Sequence, residues 1–434
     1  MLAADPGDSG PTIPPVSLYV HVPFCVSKCA YCDFHSLPRS GDASADVAEH
    51  RAFAEAVLRE MDERPALRGI LGDVPTLYFG GGTPTVMGPV LVDLLRGVRE
   101  RVRLRPDAEI TVETNPDTTE PALVAALVEA GANRFSLGVQ SFDDRVLRTL
   151  GRCHNAARAA AACSALVRSG ADFSVDLMCG VPGQTIESWR ETLDRASMTG
   201  ALHASVYPLA LEPGTPMAAA VAEGSLSAPD PDLAAEMMLL AREHMAYHAL
   251  DRYEVANYAY RGHESRHNTV YWTGGAYLGI GPAAASMLPL ELYRASGLRV
   301  GGPGAPDAEV VPEDAVGGRV RFTLPRDTDA FLREGFDCVG APHDGVDPEY
   351  LTAEESARED VMLGLRLVRG VPADQVEAAG LTPVLRRLGA DGLVELVEPP
   401  KAPGSGPGVG SSWRTTERGW LLGNEVFSAV WAGE

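Results

Sequence analysis

Lysine is nearly missing from this 434-residue chain: Lys28 and Lys401 are the only two. The positive charge is almost all arginine, and 59 acidic residues outnumber 37 basic ones, leaving a formal net charge of −22. A surface of that sign repels polyanions, so no nucleic-acid partner is expected. No run of eighteen uncharged apolar residues occurs, which excludes an ordinary membrane-spanning helix. The opening Met-Leu-Ala-Ala-Asp-Pro-Gly lacks a basic segment and an apolar one, so no secretory signal is read there. Cysteine is sparse too. Seven is an odd number, and three sit together, which fits a reducing cytoplasm better than a disulfide scaffold. Cys153, Cys163, Cys179 and Cys338 are scattered and read as small buried hydrophobes. A phosphate loop of the form G-x4-G-K-S/T is absent, as is a dinucleotide fingerprint.

What is present begins with Cys25, Cys29 and Cys32, in a C-x3-C-x2-C spacing with Tyr31 just before the third. Three thiolates within eight residues can wrap one metal centre from one side. A [4Fe–4S] cube normally takes four cysteines, one per iron, so three leave one iron open to a ligand that is not protein. The competing reading is zinc held by three cysteines and His35. Colour separates the two, brown against colourless.

Around this loop, strand and helix patterns alternate. Strands are expected at 17–22, 75–80, 109–113, 134–139, 173–178 and 203–209, and helices at 46–63, 87–100, 120–130, 156–169, 185–198 and 231–248. Six such units predict an α/β fold with a parallel sheet, rolled into a partial (β/α)6 barrel. In barrels the chemistry gathers at the C-terminal ends of the strands. The polar and glycine-rich residues fall there: Gly81, Gly82 and Thr83 after the second strand, Glu113 ending the third, Gln140 ending the fourth, with Arg152 beyond it. Glycine lets a backbone approach a ligand, Glu113 can accept from hydroxyls or an ammonium, and Arg152 can grip a carboxylate. Asp176, inside the apolar strand 175–178, is a carboxylate rarely buried without a partner. Later stretches are read as a strand at 253–258, a polar–aromatic loop at 266–275 and a glycine turn at 277–283. The chain divides into a flexible lead-in (1–16), the barrel (17–290), an insertion or connector (291–340) and a small α+β, winged-helix-like module (341–434).

The cysteine spacing, the strand before it and the Gly80–Thr85 loop resemble the radical S-adenosylmethionine (SAM) superfamily. Segments Tyr19 to Phe34, Gly80 to Thr85, Leu137 to Phe142, Asp176 to Thr185 and Gly279 to Ser286 resemble its oxygen-independent coproporphyrinogen III oxidase (HemN) group, over roughly residues 17–430. The resemblance implies that Cys25, Cys29 and Cys32 hold the cluster. It implies that Tyr19, Gly81, Gly82, Thr83, Glu113, Gln140, Arg152, Asp176 and Ala210 contact SAM. Two departures turn the reading toward the HemW branch: Phe34 stands where the oxidase has a further cysteine, and only 24 residues precede Cys25. Arg266-His267-Asn268-Thr269-Val270-Tyr271-Trp272 matches that branch's H-N-x-x-Y-W motif. The resemblance then implies a haem chaperone. Its partners would be haem, an unidentified haem-acceptor protein at the cytoplasmic face of the membrane, and a one-electron donor. His267 and Tyr271 are candidate haem ligands, and Trp272 a stacking surface. The alternative is an enzyme that oxidatively decarboxylates the propionates of coproporphyrinogen III.

Overall fold

A computed structural model describes residues 14–298, 317–335, 348–398 and 410–434. Most of the lead-in, nearly half of the 291–340 insertion, Cys338 and most of the loop expected at 399–412 lie outside those residues.

Six parallel strands form the heart of the molecule: Ser17–Val22 (β1), Val74–Gly81 (β2), Leu104–Thr114 (β3), Arg134–Gln140 (β4), Asp172–Cys179 (β5) and His203–Pro208 (β6), neighbours in that order. Each is followed by a helix that packs on the outer face: Ala43–Glu63 (α1), Pro89–Arg101 (α2), Pro121–Glu129 (α3), Ala156–Ser169 (α4), Ile186–Ser197 (α5) and Pro231–Tyr247 (α6). The helix starts are legible in the caps. Asp42, Asn155, Thr185 and Asp230 each accept from first-turn amides, and Gly170 closes α4 in the left-handed region.

The strands alternate with period two. Leu18, Val20 and Val22, Leu77 and Phe79, Phe135 and Leu137, and Val175 and Leu177 are fully buried in the outer core with Phe53, Leu94, Leu127 and Trp189 of the helices. Their neighbours Tyr78, Thr111, Glu113, Arg134, Ser136, Ser174, Asp176, His203 and Ser205 line the inner face. The usual (β/α)8 barrel fills its interior with branched apolar side chains. Here the interior is polar and holds a cavity of about 360 Å³.

Three stretches differ from the sequence reading. The strand expected at 253–258 is a short antiparallel hairpin, Asp251–Arg252 (β7) with Asn257–Ala259 (β8), added beside β6. The loop at 266–275 contains a helix, Arg266–Trp272 (α7), because Ser265 caps it and the Glu109 carboxylate accepts from its first amides. Residues 277–280 form a seventh parallel strand, Tyr277–Ile280 (β9), on the other side of β1. From there Ala285–Pro289 (β10), Arg319–Thr323 (β11) and Glu349–Leu351 (β12) extend the same sheet antiparallel, so parts of the expected connector belong to the main sheet. A small helix, Thr328–Glu334 (α8), lies against α1.

The C-terminal module packs Ala353–Gly364 (α9), Thr382–Ala390 (α10) and Gly423–Ala432 (α11) on a three-stranded antiparallel sheet of 371–372, 394–397 and 412–415, around its own core. Buried Trp420 docks it on the barrel: its indole N–H donates to the Val255 carbonyl at 2.8 Å and Arg252 lies 4.0 Å over its ring. Among the described residues no helix is long and apolar enough to cross a membrane.

Replacing Trp420 with Ala should cost about 3–5 kcal/mol in urea unfolding, because a large buried ring and its hydrogen bond are lost together. Trp420→Phe, which keeps most of the ring volume, should cost roughly 1–2 kcal/mol.

Candidate functional site

The cysteine loop leaves the C-terminal end of β1 and is closed by a two-residue parallel pairing of Phe24–Cys25 with Leu37–Pro38. Partners distant in sequence staple it over the barrel mouth. Ala30 N–H donates to the Leu150 carbonyl, and Met217 N–H to the Ala30 carbonyl. Arg326 clamps the carbonyl and carboxylate of Asp33 at 3.0 and 3.2 Å. His21 Nε2 donates to the His35 carbonyl at 3.0 Å, while Tyr19 donates its hydroxyl proton to Nδ1 at 2.9 Å. Burial, reinforced by Arg326, pulls His21 down to about 4, so it is neutral at pH 7. The His35 ring hydrogen-bonds Thr328 at 3.0 Å, so the fourth ligand of the zinc reading is already engaged with α8.

All three thiols are half-buried and line the top of the cavity. Thr83 Oγ1 lies 3.5 Å from Cys25 Sγ, and Arg152 Nη1 donates to Cys29 Sγ at 3.2 Å. Burial pushes Cys25 and Cys32 up, so without a metal they are thiols at pH 7. Among the described residues no three His, Cys, Asp or Glu side chains close on a single ion. A cube that gives each thiolate its own iron does not require that.

Gly81 and Gly82 are glycines for a reason the sequence did not reveal. A Cβ on Gly81, where φ is +106°, would sit 2.6 Å from the His21 ring, and one on Gly82 would sit 2.6 Å from the Phe24 carbonyl. Gly82 and Thr83 N–H groups donate to Val22 and Phe24. The β2 loop is thereby zipped against the root of the cysteine loop while both glycines also face the cavity.

Below the thiols, Glu113 accepts from the Tyr78 hydroxyl at 2.7 Å and from Gly81 N–H at 3.1 Å. Burial first, then the charge of Asp176, raises it to about 7. Asp176, raised by burial, accepts from Ser136 at 2.9 Å through one oxygen while its other oxygen has no protein partner. Gln140 sits at φ +65°, a strained setting for a side chain with Cβ. Arg152 reaches in from beyond β4 to Asn115 Oδ1 and the Gly138 carbonyl. Of the SAM residues expected from resemblance, Gly81, Gly82, Thr83, Glu113, Gln140, Arg152 and Asp176 share this cavity. Tyr19 stands behind it, engaged with His21, and Ala210 is exposed just past β6. Asn115, Tyr78 and Ser136 were missed; the period-two alternation would have found Tyr78 and Ser136.

Do these residues fit a cube and SAM? An orphaned Asp176 oxygen, a guanidinium aimed at a thiol and two glycines that leave the wall bare are what a small polar cofactor needs. The haem candidates lie elsewhere. His267, 1% exposed, plugs the lower end of the barrel. Thr76 donates to Ser17, so it accepts from His267 Nδ1–H at 2.7 Å, and Tyr271 donates to Nε2 at 2.8 Å. Both ring nitrogens are engaged, and burial pulls this histidine down to about 3. Trp272 faces away, under Arg366, onto a separate cavity of about 410 Å³ between α7 and the C-terminal module.

Comparison with known proteins gives the following. Residues 19–196 match the radical SAM superfamily and residues 351–422 the HemN C-terminal domain. The chain is 39% identical over 387 residues to "Heme chaperone HemW" of Mycobacterium tuberculosis, covering 88% of this chain and 89% of that one. It is 32% identical over 424 residues to "Heme chaperone HemW" of Bacillus subtilis, covering 95% and 98%. The solved coproporphyrinogen III oxidase (HemN) of Escherichia coli shares the fold, with a TM-score of 0.70 at 22% identity over 96% of this chain and 90% of that one.

All five buried histidines lie below their ordinary 6.5: His21 and His154 at about 4, His267 at about 3, and His203 and His50 lowered by burial as well. The unfolded chain therefore binds more protons below pH 6.5, and each histidine removes about 1.4 kcal/mol of stability per pH unit. Glu113 and Glu254, both raised to about 7, oppose this between pH 7 and 4.5. The urea midpoint should thus fall as pH drops from 6.5 to 4, most steeply below 4.5. His154→Gln should flatten the slope by about one proton.

Proposed function

The chain belongs to the HemW family of radical SAM proteins, and from that premise we propose that it is a haem chaperone, which binds haem and passes it to acceptor proteins. The observation that carries the reading is the likeness to curated haem chaperones over nearly the whole chain, 39% identical in one and spanning 95% of this chain in another. Its radical SAM membership implies a [4Fe–4S] cluster and SAM. Cys25, Cys29 and Cys32 would hold three irons, and a reduced cluster there would supply one-electron chemistry toward the SAM sulfonium.

The chain's own residues have definite tasks in this reading. Arg152 and Thr83 place donors beside sulfur, offsetting the negative charge of thiolate ligands. Glu113 is poised between protonated and ionised near pH 7, so a cation or hydroxyl arriving beside it sets its state. Tyr78 and Gly81 hold that carboxylate in one orientation, and Asp176 offers its unpaired oxygen. Phe34, 65% exposed at the mouth, gives the loop an apolar tip where a further thiol would otherwise stand.

Haem is proposed to bind outside the lumen. The side of the H-N-x-x-Y-W motif open to it is Trp272, beside Arg369 in the cavity under the C-terminal module, since His267 and Tyr271 are spent on each other and on Thr76. The site of action is proposed to be the cytoplasm, with a one-electron donor and a haem acceptor at the membrane's cytoplasmic face as partners.

Anaerobic reconstitution with iron and sulfide tests the cluster: wild type should turn brown and its electron paramagnetic resonance (EPR) signal should change on adding SAM. Cys25→Ala, Cys29→Ala or Cys32→Ala should each abolish the colour, and stoichiometric zinc in freshly purified material would sink the reading. In haem titrations Trp272→Ala should weaken binding about tenfold. His267→Ala should leave the haem spectrum unchanged while lowering the urea midpoint, because it orphans two buried hydroxyls. Formation of protoporphyrinogen from coproporphyrinogen III under turnover conditions would replace the chaperone by the enzyme.

A further inference from the structure

Deep in the barrel, below the residues expected to touch SAM, stands a buried positive charge with no ion-pair partner among the described residues. Arg134 opens β4, and because Phe135 and Leu137 face the helices, Arg134 must face the lumen. It is 5% exposed. Nη1 donates to the His263 carbonyl at 3.0 Å, Nη2 has no partner, and Arg134 makes no ion pair among the described residues. A guanidinium is charged at any pH the protein meets. Buried charges are ordinarily paired, since an unpaired one carries a large desolvation cost.

The neighbouring carboxylates are engaged, except for one open oxygen of Asp176. Glu109 accepts from the first amides of α7, and Asp172 from His263 Nδ1 at 2.6 Å. Glu113 is held by Tyr78 and Gly81, and Asp176 by Ser136, one layer nearer the mouth. Two further orphans line the same cavity as Arg134. Thr111, directly opposite it in the β3–β4 register, is 1% exposed with an unpartnered hydroxyl. His203, 2% exposed, has an unpartnered Nδ1. The Tyr253 hydroxyl accepts from Ser265 N–H and so spends its proton on His203 Nε2, which leaves the hydrogen on Nδ1. The result is three unpartnered groups able to donate, lining one cavity whose open acceptor, the free Asp176 oxygen, lies nearer the mouth. Two residues of strand separate Thr111 from Glu113, about 6.6 Å.

We propose that the lower lumen is a binding site for a carboxylate, gripped by Arg134 and completed by Thr111 and His203. A monoanion suits it better than a phosphate dianion, because Glu113 and Asp176 line the same cavity and repel a second negative charge. The inference concerns the cavity of the proposed function and takes from that reading only that SAM occupies the upper half.

The test is thermal unfolding of the cluster-loaded protein with sodium acetate, against sodium chloride and sodium phosphate at matched ionic strength. Acetate should raise the melting temperature to a plateau by selective binding to the folded state, with chloride having no effect and phosphate a smaller one. Arg134→Gln should abolish the acetate shift without lowering the melting temperature of the ligand-free protein. Thr111→Val, which keeps shape and charge and serves if the first variant does not fold, should weaken acetate about tenfold. No acetate shift would mean that water alone fills the layer, and would overturn the proposal. So would a shift that survives in Arg134→Gln, or one larger with phosphate. The SAM-induced EPR change is read on the same samples. Its absence beside an intact acetate shift would remove the SAM reading and leave the carboxylate site standing.

Discussion

Every strand of the parallel sheet carries two chemistries, one on each face, and the rest of the molecule follows from keeping them apart. The outward residues are branched or aromatic and fully buried against the helices. The inward ones are hydroxyls, amides, carboxylates and an arginine around a cavity. A one-residue slip of any strand would drive Glu113 or Asp176 into the helix layer and Val112 or Val175 into the lumen. The outer core therefore holds the register, and the register holds the site. Apolar burial on one face offsets the desolvation of polar groups on the other, which is why carboxylates can persist inside the barrel with their pKa raised.

The cysteine loop depends on that scaffold in a different way. The spacing of Cys25, Cys29 and Cys32 is local, yet what aims the loop is not. Leu150, Arg152 and Met217 approach it from the fourth and sixth strand-to-helix connections, and Arg326 and Thr328 from the antiparallel extension of the sheet. Gly81 and Gly82 press the second connection against its root. A short motif is thus held from four directions by segments up to 300 residues away. The chemistry it can perform is a property of the whole barrel.

Much of this was legible from residue order. Six strand-then-helix units, their boundaries to within a few residues, and several of the cavity-lining residues at the strand ends follow from period-two and period-3.6 patterns, caps and glycines, which are short-range. The stretch from 251 to 289 was not legible, for an identifiable reason. Residues 266–272 read as a loop because their own propensities are mediocre. They form a helix because Ser265 and the distant Glu109 satisfy its first amides. Tyr277–Ile280 read as a turn because of its glycines, and becomes a strand because the free edge of β1 accepts it. The Arg266–Trp272 motif shows the same divide: His267 looked like a ligand in the sequence and is a buried peg in the fold.

Composition, spacing and periodicity by themselves determined the α/β class, the three-thiol loop and the polar strand ends, and the motifs they mark carry the resemblance to the family. All of these are carried by residues within one turn or one strand of each other. Only the tertiary structure decided which polar groups are left without partners, that His35 and His267 are engaged, and that the C-terminal module seats on Trp420. Those outcomes depend on which distant groups arrive first at each donor and acceptor. Packing in three dimensions settles that, and nearness along the chain does not.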